Sequence, residues 1–119
     1  MCGPKACEER RARIFACELE ATRAAALAKA PSIAESQSTS GGALHGDAFR
    51  VDLEAARGSA GFGVLYLNPP YDFDREHGRF EERFLARYAP AVALGGVLLF
   101  VVPHYALGAS ARTIATHFG

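Results

Sequence analysis

Short apolar runs alternate with stretches of helix-forming residues along the chain, which is the pattern of an α/β fold. Residues 13–19 form the first apolar run, and residues 20–30, rich in alanine, follow as a predicted helix. Pro31 is expected to end that helix, and Ser32 to Gly42, rich in Ser, Thr and Gly, is expected to be a loop without periodicity. A brief strand over 43–47 is expected to follow this loop.

The second half of the chain repeats the alternation with more strongly apolar runs. Residues 63–67 are an uninterrupted apolar stretch that ends at two prolines, which is typical of a buried parallel strand. From Arg79 the apolar residues Phe80, Phe84, Leu85 and Tyr88 recur at helical spacing. The remaining elements expected are one or two helical turns over 51–57, a turn at Leu94 to Gly96, a buried strand over 97–102 and a helix over 105–118.

This order of elements predicts one α/β domain over residues 1–119, with a parallel sheet covered on both faces. In such sheets ligands bind beyond the carboxyl ends of the strands. Glu18, Asp47 and Asn68 all fall at such ends. The sequence therefore directs attention to these three side chains.

Composition and charge narrow the class of protein. The chain has 119 residues, of which 50% are hydrophobic and 22% charged, a globular balance. Thirteen basic residues match thirteen acidic ones, so bulk charge gives no argument for nucleic-acid binding. No apolar run reaches the roughly 18 residues that span a bilayer, so we expect no membrane segment and a cytoplasmic location. Cys2, Cys7 and Cys17 form no paired motif and are expected to be reduced thiols.

The segment Asn68-Pro69-Pro70-Tyr71 carries the clearest chemical signal. The prolines make the backbone rigid, so that the Asn68 side-chain carbonyl and the Pro69 main-chain carbonyl can accept both hydrogens of one planar NH2 group. Accepting them frees the nitrogen lone pair to attack an electrophilic methyl group, and carbonyl dipoles stabilise the developing positive charge. Tyr71 would supply an aromatic face by stacking on a base that carries this NH2 group. The simpler alternative is a strand that ends in a rigid turn.

With these residues in view, the chain resembles the N6-adenine type of class I S-adenosylmethionine-dependent methyltransferases. The order of its motifs is similar to that of the family, and the match covers about residues 13–103. The fold implied is a partial Rossmann-like parallel sheet. The segments that match the family are Phe15 to Glu20, His45 to Phe49 and Asn68 to Tyr71. The chain is also similar, more narrowly, to an uncharacterised bacterial, plasmid- or phage-borne branch of the family. The further segments that match this branch are Asp72, Arg79 to Glu81, Phe84-Leu85, Gly95 to Leu98 and Val101 to Pro103.

The resemblance implies S-adenosylmethionine as cofactor and assigns roles to its candidate ligands. Glu18 occupies the position of the acid that binds the ribose hydroxyls, while Glu20 is expected to cap the following helix. Asp47 matches the acid that accepts from the cofactor's adenine amine, with a turn or helix cap as the alternative. Phe49 is a candidate to pack on the adenine ring. Asn68, which holds the target amine, is expected to lie beside the cofactor as well.

The basic residues of the second half suggest a nucleic-acid contact. Arg79, Arg83 and Arg87 form an i, i+4 row with Arg75 in the preceding loop, and could track a phosphate backbone or form a solvated face. His77 and His104 lack partners at metal-ligand spacing. Asp72 and Asp74 are more simply a solvated loop than a cation site, so no metal is predicted.

One departure from the family concerns the first strand and its glycine-rich loop. Gly3-Pro4 is not such a loop, and Lys5 to Arg13 is interpreted as the remains of a charged helix. The resemblance also implies two final strands beyond the last predicted helix, which we expect this sequence to lack. Two hypotheses follow: an enzyme represented by a truncated chain that a second polypeptide would complete, or a non-catalytic remnant or binding module. The expected substrate is adenine in DNA, with RNA and a protein glutamine as alternatives.

Overall fold

The computed structural model describes residues 12–37, 41–58 and 60–118, which contain six strands and five helices. They belong to two compact units, Met1–Val51 and Asp52–Gly119. The expectations for Gly3-Pro4, for most of the segment from Lys5 to Arg13 and for the first two cysteines lie outside the described residues. Within those residues, no helix has both the length and the apolar character needed to cross a membrane.

The first unit is built around a pair of short parallel strands, β1 (Phe15–Glu18) and β2 (Gly42–His45). Phe15 lies opposite Gly42, and the ladder ends with Glu18 opposite His45. Helices α1 (Ala21–Ala28) and α2 (Pro31–Ser36) connect the two strands. The predicted strand, helix and brief second strand are confirmed, and both strands end at the same edge.

The loop expected after Pro31 is wrong in its first half. Pro31 begins α2, because a proline at the first helical position loses no intrahelical hydrogen bond and already has a helical φ. Ile33 is buried, and the buried Ser36 hydroxyl accepts from the Ile14 amide at 3.0 Å and donates to the Ser32 carbonyl at 2.9 Å. This hydroxyl ties α2 to the residue just before β1.

The second unit also has two parallel strands joined by a helical crossover of about the same length. Strands β3 (Phe62–Leu67) and β6 (Val92–Phe100) are parallel neighbours, as predicted. The other elements are α3 (Leu53–Arg57), the antiparallel strands β4 (Phe73–Asp74) and β5 (Gly78–Arg79), and the helices α4 (Phe80–Tyr88) and α5 (Leu107–Phe118).

The turn expected at Leu94 to Gly96 is wrong, because these residues belong to β6. They bulge out of the ladder: Phe62 pairs with Val92, whereas Val64 already pairs with Val97. Gly95 has a φ of +76°, a conformation that other residues adopt at a cost. A Cβ on Gly96 would lie 2.9 Å from the Phe62 carbonyl oxygen, so the close approach requires glycine. The glycine pair therefore makes a bulge within one strand.

Full burial of β3 and β6 is also contradicted. Val64 and Tyr66 on β3 are 66% and 62% exposed, and their ladder partners Val97 and Leu99 are about as open, at 50% and 51%. Side chains alternate between the two faces of a sheet, so these four share one face. No described helix buries that face, whereas Leu67 on the other face is buried.

Candidate active site

Candidate residues lie at the carboxyl ends of both parallel strand pairs. The first unit contains Glu18, Asp47 and Phe49, and the second contains the segment Asn68 to Tyr71. The two groups are described separately below, as the acidic edge of the first unit and the amide edge of the second.

Glu18 is the last residue of β1 and is held by local hydrogen bonds. Its Oε1 accepts from the Glu20 amide at 3.0 Å and from the Arg23 Nε and Nη2 at 3.0 and 2.9 Å. The pKa of Glu18 is lowered, mainly by the hydrogen bond from the Glu20 amide and next by the hydrogen bonds from Arg23. Among the described residues, Oε2 has no hydrogen-bond partner, so Glu18 keeps one open acceptor on a side chain that is 26% exposed.

Glu20 caps α1, as predicted. Its carboxylate accepts from the Thr22 amide at 2.9 Å and from the Arg23 amide at 2.7 Å. Both oxygens are therefore occupied by backbone donors that a helix start leaves without partners. Of the two neighbouring acids, Glu18 is the one that remains available to a ligand.

Asp47 lies two residues beyond β2 and caps the 3₁₀ turn Ala48–Arg50. Its Oδ1 accepts from the Phe49 amide at 2.9 Å, and Arg50 Nε lies 3.9 Å from Oδ2. The capping role that the sequence left as an alternative is thus present. It does not exclude the ligand role, because Asp47 is exposed and the cap uses only one oxygen. The cap also fixes Phe49, which is half-buried, beside the carboxylate.

Cys17 shows that the two acids are close to each other. Its Sγ donates to the Gly46 carbonyl at 3.3 Å, and the Gly46 amide donates to the Glu18 carbonyl at 2.9 Å. The pKa of the Cys17 thiol is raised, mainly because the thiol is partly buried and also because the negative charges of Asp47 and Glu18 lie nearby. Both carboxylates therefore act on one sulfur atom. Such an edge suits a ligand that presents hydroxyl and amine donors.

Asn68 follows β3 directly, at the end of a well-anchored strand. The Leu67 carbonyl accepts from the Val101 amide at 2.9 Å, which joins the ends of β3 and β6. Pro69 is buried, whereas Asn68 is exposed and its Oδ1 accepts from the Tyr71 hydroxyl at 3.3 Å. That length is at the weak end for an O–H···O bond, so a target amine can replace the hydroxyl at little cost. The Tyr71 ring is 46% exposed.

A hairpin that the sequence did not predict follows this segment. β4 and β5 pair with Phe73 opposite Arg79, and the Phe80 amide donates to the Asp72 carbonyl at 3.0 Å. Asp74 shapes the turn: it accepts from the Glu76 amide at 2.8 Å and contacts His77 Nδ1 at 3.0 Å. The pKa of Asp74 is lowered, mainly by the side-chain hydrogen bond with His77 and next by the hydrogen bond from the Glu76 amide. In the sequence, Gly78 was the residue that could have indicated this turn; in the structure it has a φ of +83°.

The acids of this hairpin bind their own backbone or neighbouring side chains. The Asp72 Oδ1 accepts from the Phe73 amide at 2.7 Å. No group of three or more His, Cys, Asp or Glu side chains that could hold a metal ion occurs in the part of the chain that the structure describes.

Arg79, buried Glu81 and Tyr105 form a cluster that sequence reasoning missed; we call it the Arg79 cluster. The Arg79 Nε donates to Glu81 Oε1 at 2.5 Å, and its guanidinium lies 4.8 Å from the centre of the Tyr105 ring. The bond to Glu81 raises the pKa of Arg79, and burial opposes it. The i, i+4 spacing had grouped Arg79 with two helical arginines, although α4 begins only at Phe80.

Arg83 and Arg87 lie over aromatic rings of their own helix. The Arg83 guanidinium is 5.2 Å from the centre of the Phe80 ring, and that of Arg87 is 5.9 Å from that of Tyr88. Both side chains are half-buried, so the row is more than a solvated face. Its contact with a phosphate backbone stays a prediction.

Comparison with known proteins gives one match. No curated protein and no solved structure is similar enough to count as a match. The model of an uncharacterised methyltransferase family (DUF6094) matches residues 24–118, a range that contains Asp47, the amide edge and the Arg79 cluster. The chain therefore belongs to this uncharacterised methyltransferase family.

Proposed function

We propose that the protein transfers a methyl group from S-adenosylmethionine to an exocyclic amine, with N6 of adenine in DNA as the target. The observation that carries this proposal is the amide edge: an exposed Asn68 at the carboxyl end of a parallel strand, with its Oδ1 within reach of the Tyr71 hydroxyl. Membership of a methyltransferase family supports the reaction class.

The acidic edge supports the choice of cofactor. The open Oε2 of Glu18 would accept from a ribose hydroxyl, and Oε1 would share its Arg23 bond with the second. Asp47 would accept from the adenine amine through its second oxygen, and Phe49 would pack on the ring. The bound cofactor would supply the electrophilic methyl group.

At the amide edge the residues of the chain hold the target nitrogen. One N–H of the adenine amine donates to Asn68 Oδ1 in place of the Tyr71 hydroxyl, and the other donates to the Pro69 carbonyl. The nitrogen lone pair then forms the new C–N bond, while the electrons of the broken S–C bond remain on sulfur. The methylated nitrogen loses one proton to solvent. Asn68 and Pro69 stabilise the positive charge that develops before this loss.

Tyr71 supports a flat, aromatic target. An exposed ring beside Asn68 can stack on an adenine that has been rotated out of a duplex or is already single-stranded. The hydroxyl that the target displaces from Asn68 becomes free to bind water.

The test uses the protein together with any polypeptide that completes its fold, tritiated S-adenosylmethionine and three acceptors: an adenine-containing DNA, an RNA of the same sequence, and a glutamine-containing peptide. We expect label on DNA, recovered as N6-methyladenine after digestion and chromatography, and none with Asn68→Ala. Label on RNA or on the glutamine amide would replace the substrate assignment. Absence of label on all three would contradict the proposal and favour a non-catalytic binding module, which calorimetry with the cofactor then tests.

A further inference from the structure

A buried carboxylate in the second unit has no role in the proposed reaction. Glu81 lies in the first turn of α4 and its side chain is fully inaccessible to solvent. Its Oε1 bonds Arg79, but its Oε2 has no hydrogen-bond partner among the described residues. Burying a carboxylate is costly, and a single ion pair rarely recovers that cost in full. Stability alone does not explain why an acid occupies this position.

Arg79 connects Glu81 to a distant part of the second unit. Its guanidinium lies between the Glu81 carboxylate and the face of Tyr105. Tyr105 belongs to the turn His104–Ala106, which comes shortly after β6 ends, and its ring is 68% exposed. The cluster therefore reaches from the start of α4 to the segment beyond β6.

The backbone of Arg79 extends this link to the amide edge. Arg79 pairs with Phe73 in the hairpin, two residues after Tyr71. The next amide, that of Phe80, donates to the Asp72 carbonyl. A shift of the Arg79 backbone would therefore also shift β4, which begins two residues after Tyr71.

We propose that Arg79 is a positioning residue, which buried Glu81 orients so that it holds the hairpin against Tyr105 and thereby fixes the Tyr71 ring relative to Asn68. This role rests on the proposed function, because it assumes that Asn68 and Tyr71 bind the target. Glu81 acts only through Arg79: its fixed carboxylate would hold the guanidinium in one position over the tyrosine ring.

The decisive variant replaces the ion pair by apolar side chains, Arg79→Met with Glu81→Leu. Such replacements are often neutral or stabilising, so the protein should fold with an unchanged or higher melting temperature. Orientation is lost, however, and we expect kcat for methyl transfer to fall by at least about tenfold, as for a misplaced binding group. The Kd for S-adenosylmethionine should stay within about twofold, since the residues assigned to the cofactor are untouched. Arg112→Gln, an exposed arginine on α5, is the matched control and should behave as wild type.

Tyr105 provides a second, milder test. Tyr105→Phe keeps the ring face and should retain kcat within about threefold, whereas Tyr105→Leu should approach the loss of the double variant. A double variant that folds and keeps wild-type kcat would overturn the proposal. So would a Tyr105→Leu variant that folds and keeps wild-type kcat.

Amide hydrogen exchange tests the positioning without any assay of activity. In the Arg79→Met, Glu81→Leu protein the Phe80 amide should exchange at least about tenfold faster, while the Val101 amide, held by β3, should not change. If the wild-type protein methylates no acceptor, the proposed function fails but this measurement still decides the positioning. Unchanged exchange at Phe80 in the double variant would contradict it.

Discussion

The acidic edge and the amide edge end two strand pairs of the same parallel geometry, yet their side chains are held in different ways. At the acidic edge, Glu18 and Asp47 bond donors within five residues along the chain. At the amide edge, prolines fix the backbone, and the hairpin that follows is joined to Tyr105, far along the sequence, through Arg79.

The difference fits the division of roles that the proposed function assigns to the two edges. Local bonds hold the carboxylates of the acidic edge, which would suit a small, constant ligand such as a cofactor. The proposed long-range link at the amide edge would fix the Tyr71 ring relative to Asn68, which would suit a flat target that must be oriented. Variants at one edge should therefore alter cofactor binding alone, and variants at the other should alter the target step alone.

The largest effect is expected from Asn68→Ala. Loss of the side-chain acceptor should reduce methyl transfer by at least about 100-fold, the usual consequence of removing a group that stabilises charge in the transition state. Affinity for S-adenosylmethionine should remain within a few-fold. Incorporation of tritiated methyl groups measures the first quantity and calorimetry the second. Methyl transfer that survives the substitution would remove Asn68 from the mechanism and contradict the proposed difference in role between the two edges.

Tyr71→Ala should follow in size. Loss of the stacking ring should weaken binding of an unpaired adenine by about 1 to 3 kcal/mol, measured with a single-stranded oligonucleotide. Tyr71→Phe should cost much less, because the 3.3 Å hydroxyl bond to Asn68 is weak and is given up when the target binds. Equal losses in the two variants would assign the effect to the hydroxyl instead.

Glu18→Ala and Glu20→Ala compare two acids of the acidic edge. The first should weaken S-adenosylmethionine binding by roughly one to two orders of magnitude, since hydrogen bonds to a charged group are lost. The second should lower the melting temperature by a few degrees through loss of the α1 cap and leave the affinity nearly unchanged. Calorimetry and thermal unfolding separate the two, and an unchanged affinity in both variants would show that both acids are only structural.

The smallest effect concerns pH. The pKa of Glu18 is lowered in the folded chain, so its contribution to stability is fully present above the ordinary value of 4.5 and is lost as pH falls through the folded pKa. The difference in melting temperature between wild type and Glu18→Gln should therefore shrink below that pH. Glu76→Gln, at an exposed position of the hairpin, is the control. A difference that stays constant with pH would indicate that neither the Glu20 amide nor Arg23 bonds the Glu18 carboxylate in solution.

Much of the element order could be predicted because strong local signals dominate it. Apolar runs identified β1 and β3, and the residues at their ends could be located as candidate ligands. Proline was misjudged at Pro31, since the same residue that stops one helix can begin the next. Glycine was misjudged at Gly95 and Gly96, where a turn and a bulge share the same composition.

The parts that could not be predicted depend on contacts between distant residues. Spacing placed Arg79 in a helical row, but its partner Tyr105 is known only once β6 and the turn after it are in place. The exposure of Val64 and Tyr66 could not be predicted either, because an apolar run does not indicate which element packs against it. The family match supports methyl transfer and leaves the residues of both edges as predictions.

The β4–β5 hairpin has a further consequence, for the rate at which the second unit folds. Pairing β3 with β6 requires the connection between Leu67 and Val92 to close, and closure entropy grows with the length of flexible chain. The hairpin forms from neighbouring residues, with Asp74 bonded two and three positions ahead, so it can shorten the flexible part before the strands meet. Local contacts of this kind lower the average sequence separation of contacts, which accelerates folding. We therefore expect the segment that follows Tyr71 to speed the assembly of the sheet edge at which Tyr71 lies.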